Sequence, residues 1–228
     1  MEFFKIVQRS AERERAGKFI ISILKSFKLN IKNNISIFKP FDFKNQFIEF
    51  APHLDSLRAS VNDFFIHSLS DHSIKLRLPF PPHRKTVNDF LLVTKGYSTR
   101  QFGIKTFEIK QNELMCVPQL QVSTTDFFSE DLEGYYCHFS DEFLADTHLL
   151  LQWQPSDVDN SKLHLSTAVM DRICDLLKIM NQLYQDNWTQ NKIVLAQYLR
   201  TVITEIISSE AKKKYSSSEK ERSCHRIC

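Results

Sequence analysis

The stretch Leu132–Leu144, LEGYYCHFSDEFL, contains the transition at which the chain changes from strands to helices. Gly134 breaks the preceding loop, and the aromatic-rich run Tyr135–Phe139 predicts a β-strand. Ser140 is well placed to cap a helix, because its hydroxyl can accept a backbone N–H of the first turn. The two acidic residues that follow lie at the positive end of the helix dipole. The pattern therefore predicts a helix over 140–151 and helical structure from there to residue 210.

Short strands are predicted upstream of this transition, in apolar or alternating runs that are separated by turn signals. They span 63–69, 73–78, 87–94, 99–109 (two strands bent at Gly103), 113–118, 121–127 and 133–139. The run PFPPHRK at 79–85 contains three prolines, and a proline cannot donate a ladder hydrogen bond, so a stiff loop is predicted there. Lys95–Gly96 is a hairpin signal. About eight short strands with turns between them indicate a sandwich or a barrel.

Two amphipathic helices are predicted downstream, over 166–186 and 191–207, with a break at 187–189. The short connection predicts an antiparallel αα-hairpin. An apolar stripe on the second helix consists of Ile193, Ala196, Leu199, Ile203 and Ile206. Two interpretations are open: the stripe packs in the core of its own chain, or it is a dimer interface that meets its copy about a two-fold axis.

Charge is distributed unevenly over the 228 residues, whose formal net charge is +3. The middle of the chain, 51–210, holds fourteen Lys and Arg against twenty Asp and Glu. A nucleic-acid surface needs concentrated positive charge to replace the counterions of the phosphates. We therefore do not expect this middle part to bind DNA. The tail 211–228 is polar and basic without periodicity, which predicts disorder.

The five cysteines form no framework of disulfide spacing. Cys116, Cys137 and Cys174 lie in apolar runs and are predicted to be buried thiols, which indicates a reducing, cytoplasmic compartment. A metal is not expected at the terminal pair Cys224 and Cys228, because further ligands are lacking. No apolar run approaches the length that spans a bilayer, so no membrane partner is expected.

The N-terminal part is harder to place. Residues 1–28 have the pattern of a basic amphipathic helix, which either binds a partner or a membrane surface or is an extension packed on the domain. The phenylalanine-rich run Phe38–Phe50 is interpreted as an edge strand with a turn around Pro40.

The order of these features from Asp63 to Phe143 resembles the sensor half of AraC-type transcriptional regulators. The resemblance is carried by GYSTRQFGIKTFEIKQNELMCVPQLQVST (Gly96–Thr124) together with Leu132–Leu144. Its markers are His83–Arg84, Gly96, Glu113–Leu114, Pro118, Gln121–Val122, Gly134 and Ser140–Leu144. It implies a cupin-like β-barrel that binds a small organic effector, followed by a helical hairpin that forms a homodimer. The helix-turn-helix half of such regulators would begin near residue 215, so we expect DNA contact only through a half absent from this chain.

Candidate site residues follow from the predicted strands and from this resemblance. Cupin enzymes hold a metal with histidines and a glutamate, but this chain has no H-x-H at His83 and has Ser123 where a later histidine would lie. No metal and no cofactor are therefore expected. The candidate effector-binding residues are His67, His83, Arg84, Phe90, Arg100 and His138. The alternative for each histidine is a satisfied structural role, and for each arginine a solvated surface position.

The predicted fold class is α+β, a cupin-like β-barrel of the jelly-roll type followed by an antiparallel helical hairpin. The predicted parts are an N-terminal extension (1–60), the barrel (61–140), the helices with the hairpin (141–210) and the tail (211–228). The predicted function is effector sensing and dimerisation in a bacterial transcription regulator, without enzymatic activity. The alternatives are a cupin-type enzyme acting on a small metabolite and an interaction module that acts through the N-terminal helix.

Overall fold

The computed structural model describes residues 35–50, 60–71, 74–155 and 157–224, with side chains described as far as Ser209. The predicted helix over 1–28 and the final residues 225–228 lie outside these ranges. No helix in the described part of the chain is long and apolar enough to cross a membrane.

Apart from one helix at 40–47 and one short strand at 162–164, the strands precede the helices, and the change comes after Phe139 as the sequence pattern predicts. The strands are β1 (Ser36–Phe38), β2 (Ile48–Phe50), β3 (Phe64–Ser68), β4 (Ile74–Leu76), β5 (Phe80–Lys85), β6 (Asn88–Lys95), β7 (Tyr97–Phe102), β8 (Lys105–Lys110), β9 (Glu113–Val117), β10 (Ser123–Phe128), β11 (Glu133–Phe139) and β12 (Lys162–His164). The helices are α1 (Pro40–Phe47), α2 (Asp141–Leu144), α3 (Thr147–Trp153) and α4 (Thr167–Cys224), and a 3-10 turn spans Val158–Ser161.

The strands form two five-stranded sheets that pack face to face. Their orders are β1-β5-β10-β7-β8 in the first sheet and β12-β9-β6-β11-β3 in the second, and β2 and β4 form a separate pair. Leu91 and Met115 of the second sheet pack against Phe102 and Ile109 of the first. The α+β class is confirmed, and the barrel is, within the described residues, an open cupin-like sandwich because the two sheets remain separate.

Strand β6 is buried on both faces, as expected for a strand covered by a layer on each side. Phe90 and Leu92 belong to the cluster that packs against the helices, whereas Leu91 and Val93 face the first sheet. This strand therefore lies at the centre of the molecule. It positions every second side chain toward the interior of the sandwich.

The run 79–85 is a strand rather than the loop that its prolines predict. The parallel strand β1 pairs only with the last three residues of β5, from His83 to Lys85. The antiparallel strand β10 pairs with Phe80 and His83, and its register shifts between these two pairs. Pro81 and Pro82 therefore lie at an irregularity of the ladder, where no backbone donor is required.

Ser140 begins a helix as predicted: its hydroxyl accepts a hydrogen bond from the Phe143 N–H at 3.1 Å. The predicted single helix over 140–151 is two short helices. Ala145 ends α2 in a left-handed conformation with φ of 49°, and the Asp146 carboxylate caps α3 by accepting from the Leu149 N–H at 3.0 Å. An aspartate at this position competes with helix continuation by capping a new one.

Helix α4 contains the predicted hairpin. Its backbone leaves the helical region at Asn187, where φ is −162° and ψ is 91°. The two arms run antiparallel, since Arg172 Nη2 in the first arm donates to Glu205 Oε2 in the second at 2.8 Å. The second arm continues to Cys224, so the backbone of 211–224 is helical where the composition predicts disorder.

The apolar stripe of the second arm mainly belongs to the core of its own chain. Leu199, Ile203 and Ile206 are at most 1% exposed and pack in the cluster between the second sheet and the helices. The dimer-interface prediction is therefore corrected for these three residues, which have no free surface. Ile193 is 78% exposed and Ala196 lies at the edge of the cluster. The homodimer itself stays a prediction.

The cysteine prediction is confirmed for two residues. Cys116 and Cys137 are buried, Cys174 is half-buried, and none of the three forms a disulfide within the described residues. The interpretation of Phe38–Phe50 as an edge strand is wrong for most of its length: only Phe38 belongs to the edge strand β1, and α1 and β2 occupy the rest. Pro40 is the first residue of α1 rather than part of a turn, because its fixed φ suits the first helical position.

Candidate ligand-binding cavity

A cavity of about 320 Å³ lies inside the sandwich, next to α1 and the β2-β4 pair. Most of its wall is apolar and includes Phe43, Phe65, Phe80, Leu91 and Phe128. Its volume is at the lower end of the range of pockets that bind small organic molecules. An apolar wall of this kind favours a ligand with a hydrocarbon or aromatic body.

Three charged side chains from β5, β6 and β7 meet beside this cavity, and two of them, Lys85 and Arg100, line it. Strand alternation turns Asp89 of β6 and Arg100 of β7 toward the interior, and Lys85 at the end of β5 approaches from the side. Arg100 donates from both Nη1 and Nη2 to Asp89 Oδ1, each at 3.1 Å, and Lys85 Nζ pairs with Asp89 Oδ2. The exposed fractions of the side chains are 0% for Asp89, 4% for Arg100 and 8% for Lys85. We call these three residues the charge cluster.

Burial and the close pairing of opposite charges shift the pKa values of Asp89 and Lys85. Burial alone raises the pKa of Asp89, but the adjacent Lys85 and Arg100 together outweigh burial and hold it below its ordinary value. Burial lowers the pKa of Lys85, and Asp89 offsets part of that effect. The carboxylate is therefore firmly ionised, whereas the lysine cation is held in an unfavourable environment.

A hydrogen-bonded chain leads from the charge cluster along β11. Lys85 Nζ donates to the Tyr136 hydroxyl at 3.0 Å, and this hydroxyl lies 3.5 Å from His138 Nδ1. His138 Nε2 donates to the Val61 carbonyl oxygen at 2.7 Å, so Nδ1 is the acceptor of the ring. Burial lowers the pKa of His138 to about 4 and raises the pKa of Tyr136 well above its ordinary value. Both side chains are therefore neutral near pH 7.

Two further histidines lie in the wall. His83 Nδ1 donates to the Pro81 carbonyl oxygen at 2.8 Å, and its ring centroid is 4.6 Å from that of Phe43. Burial, with Lys85 second, lowers the pKa of His83 to about 4. His67 Nε2 donates to the Asp71 carbonyl oxygen at 3.0 Å, and burial lowers its pKa as well.

Some polar atoms of this wall are left without a hydrogen-bond partner in the part of the chain that the structure describes. They include Arg100 Nε and His83 Nε2, both of which are buried. Buried polar groups normally have partners, because an unmade hydrogen bond in a dry interior is costly. Such atoms beside a cavity are typical of a site whose polar contacts are completed by something that binds there.

The structure brings together four of the six side chains proposed for effector binding. His67, His83, Arg100 and His138 line the cavity. Arg84 and Phe90 do not: Arg84 Nη1 donates to the Leu120 carbonyl oxygen on the outside, and the Phe90 ring packs against Trp153 with centroids 5.8 Å apart. Strand alternation explains both cases, since each follows or precedes an inward-facing residue by one position.

Sequence reasoning missed Lys85, Asp89 and Tyr136 as members of the site. One signal was available for Asp89, because it is the only charged residue in the largely apolar run 87–93. A carboxylate in a strand that is buried on both faces requires a cationic partner. Tyr136 precedes His138 by two positions, so both side chains lie on the same face of β11.

Comparison with known proteins gives a match at the level of solved structures alone. No protein-family model matches the chain, and no curated protein matches it. The similar solved structures are AraC-family transcription regulators. The AraC-like transcriptional activator CuxR has 15% identity and a TM-score of 0.38, over 55% of this chain and 42% of CuxR.

ToxT from Vibrio cholerae has 11% identity and a TM-score of 0.36, over 63% of this chain and 56% of ToxT. ToxT with a bound unsaturated fatty acid has 10% identity and a TM-score of 0.33, over 64% and 56% of the two chains. The matches thus span about half the length of these regulators. Similarity at this level assigns neither a ligand nor a residue role to the present chain.

Proposed function

We propose that this chain contains the effector-binding domain of an AraC-type regulator, and that its cavity binds a small organic anion with an apolar body. The observation that carries the proposal is the charge cluster: two buried cations in a largely apolar cavity wall share one buried carboxylate that lies behind them.

The charge balance of the cluster supports an anionic head group. Lys85 and Arg100 supply two positive charges and Asp89 supplies one negative charge. A buried charge without a counter-ion is costly, so the surplus cation favours binding of an anion. The donor at Arg100 Nε lacks a partner within the described residues, and a carboxylate accepts such donors well.

The size and lining of the cavity support a short hydrocarbon body. At about 30 Å³ for each water-sized group, the cavity volume corresponds to roughly ten heavy atoms. Octanoate has that size, with an ionised head and a flexible apolar chain. The unsaturated fatty acid bound in one ToxT structure also joins a carboxylate to a hydrocarbon chain. The proposal for the present chain rests on its own cavity.

The regulatory part of the proposal is supported by contacts between the cavity wall and the hairpin. Val61 lines the cavity, and the neighbouring Ser60 hydroxyl is 2.7 Å from the Tyr184 hydroxyl in the first arm of α4. Phe65, also in the wall, lies 6.0 Å from the Tyr184 ring. A ligand that binds one arrangement of these contacts better than another shifts the population of the hairpin. We assign this region the sensing step and leave DNA contact to a helix-turn-helix part.

Calorimetric titration of the full chain with octanoate and octanol tests this function. The two probes have the same chain length and differ in the charge of the head, so we expect octanoate to bind at least about tenfold more tightly. Arg100→Met removes one cation and is expected to weaken octanoate binding by about tenfold or more. Arg84→Met, outside the cavity, is the matched control with unchanged binding. Equal affinity for both probes, or no binding of either, would refute the proposal.

A further inference from the structure

We propose that Asp89 is a specificity-determining residue that limits the ligand of this cavity to a single negative charge. The inference rests on the proposed function and deepens it, because it concerns the charge of the ligand head group rather than the existence of the site. It follows from the contacts of Asp89, whose two carboxylate oxygens both pair with cations of the charge cluster.

Both carboxylate oxygens of Asp89 are engaged. The guanidinium of Arg100 forks onto Oδ1 with two bonds of 3.1 Å, and the ammonium of Lys85 pairs with Oδ2. Asp89 is 0% exposed, so no solvent shares this neutralisation. The resident carboxylate thus cancels one of the two buried cations and leaves one positive charge for a ligand.

The other groups that face the cavity are not members of the charge cluster. Tyr136 and His138 are joined in the neutral hydrogen-bonded chain, and His67 and His83 each donate to a backbone carbonyl. Lys44 also lines the cavity, from helix α1, and its charge is the same in the wild-type chain and in the variants compared below. Glu130 is exposed and Asp71 is partly exposed at the rim, where solvent screens their charges.

A second negative charge on the ligand would therefore lack a counter-ion within the charge cluster. In an interior of low dielectric constant, this costs far more than the same charge at a surface. A monoanion matches the single surplus cation, a neutral ligand leaves it unpaired, and a dianion exceeds it. The preferred charge of the ligand is thus the surplus of the cluster, which single substitutions alter by one.

Two probes of matched shape measure this preference. Hexylmalonate is octanoate with a second carboxylate on the carbon next to the first, and both of its carboxylates are ionised at about pH 8. We expect the wild-type chain to bind octanoate at least about tenfold more tightly than hexylmalonate. In Asp89→Asn the surplus becomes two charges, and the affinity ratio of hexylmalonate to octanoate is expected to rise by about tenfold or more. Glu108→Gln, at an exposed position that does not line the cavity, is the matched control with an unchanged ratio.

Lys85→Gln supplies the opposite change, because it reduces the surplus to zero. In this variant the preference for octanoate over octanol is expected to fall to within about twofold. This second variant decides the question if Asp89→Asn does not fold, as judged by circular dichroism and thermal melting. A retained tenfold preference for octanoate in folded Lys85→Gln would then overturn the inference.

The possible outcomes distinguish a failure of the role of Asp89 from a failure of the proposed effector binding. Octanoate binding to the wild-type chain with the same hexylmalonate ratio in wild type and Asp89→Asn overturns only the role of Asp89. Absence of octanoate binding to the wild-type chain overturns the proposed function, and the inference with it.

Discussion

Gly134 lies where strand β11 comes closest to strand β6. Its φ is +143°, and a Cβ atom at this position would lie 2.0 Å from the Leu92 carbonyl oxygen. The ladder between the two strands shifts register at the same point, between Glu133 and Gly134. Gly134 is thus required inside a strand, whereas the sequence pattern places it at the end of a loop.

Gly134→Ala is expected to destabilise the chain by about 3 kcal/mol or more, because both the backbone conformation and the contact with Leu92 oppose a side chain. Gly103→Ala is the matched control: its φ is +60°, but the nearest atom is 3.8 Å from the added Cβ. Only conformational strain applies there, and we expect a cost of about 1 kcal/mol. Urea unfolding monitored by circular dichroism measures both. Equal costs would contradict the close approach of the two backbones.

At the scale of single residues, the candidate site was partly predictable. His67, Arg100 and His138 lie in or beside strands that the sequence predicts, and the structure places all three in the cavity wall. The partners of Arg100 were not predictable. Lys85 reaches Asp89 from the end of β5, which the prolines predict to be a loop. Pairings between sheets depend on which strands lie opposite one another, and periodicity carries no such information.

At the scale of elements, most strands and both arms of the hairpin, with the break between the arms, were predicted, whereas two other features were not. Strand β6 and the hairpin follow from runs whose period is clear. The strand character of 80–85 depends on a register shift in β10, and the division between α2 and α3 depends on a left-handed Ala145. Both are set by tertiary packing, which overrides local preference.

The second arm of the hairpin offers a direct test of which residues form the core. Leu199→Ala removes a side chain that is 0% exposed and is expected to cost about 2–5 kcal/mol of stability. Ile193→Ala changes a side chain that is 78% exposed, so its expected cost is below about 0.5 kcal/mol. Chemical denaturation of the two variants checks the difference. Should Ile193→Ala prove as costly as Leu199→Ala, Ile193 would have to be covered, as in the dimer that the sequence predicts.

At the scale of the whole molecule, the two faces of the second sheet contact different parts of the structure. One face packs on the helices through Phe90, Leu92 and their neighbours, and the other lines the sandwich interior that contains the cavity. Because the same sheet contacts the cavity on one face and the hairpin on the other, a movement of the cavity wall can alter the packing of the hairpin. The Ser60 to Tyr184 hydrogen bond joins the two regions directly.

Acid is expected to destabilise the whole fold through its buried histidines. The pKa values of His83 and His138 are lowered by burial from 6.5 to about 4, so the unfolded chain binds more protons between these values. The free energy of unfolding therefore falls as the pH decreases from 6.5 to 4, by up to about 3 kcal/mol for each histidine. Asp89 acts in the same direction at lower pH, since its pKa is also lowered.

Urea unfolding at a series of pH values measures this dependence. His83→Asn removes one titrating group and is expected to make the curve shallower, whereas His148→Asn, at an exposed histidine, leaves it unchanged. A free energy of unfolding that stays constant between pH 6.5 and 4 would show that the two rings already bind protons in the folded state.

A crystal structure of the full chain with octanoate is the most direct test of the proposed effector site. The charge cluster predicts electron density inside the sandwich, with the carboxylate at hydrogen-bonding distance from Lys85 or Arg100 and the hydrocarbon chain against Phe43 and Phe65. An empty cavity with octanoate bound elsewhere, or a carboxylate turned away from both cations, would contradict it.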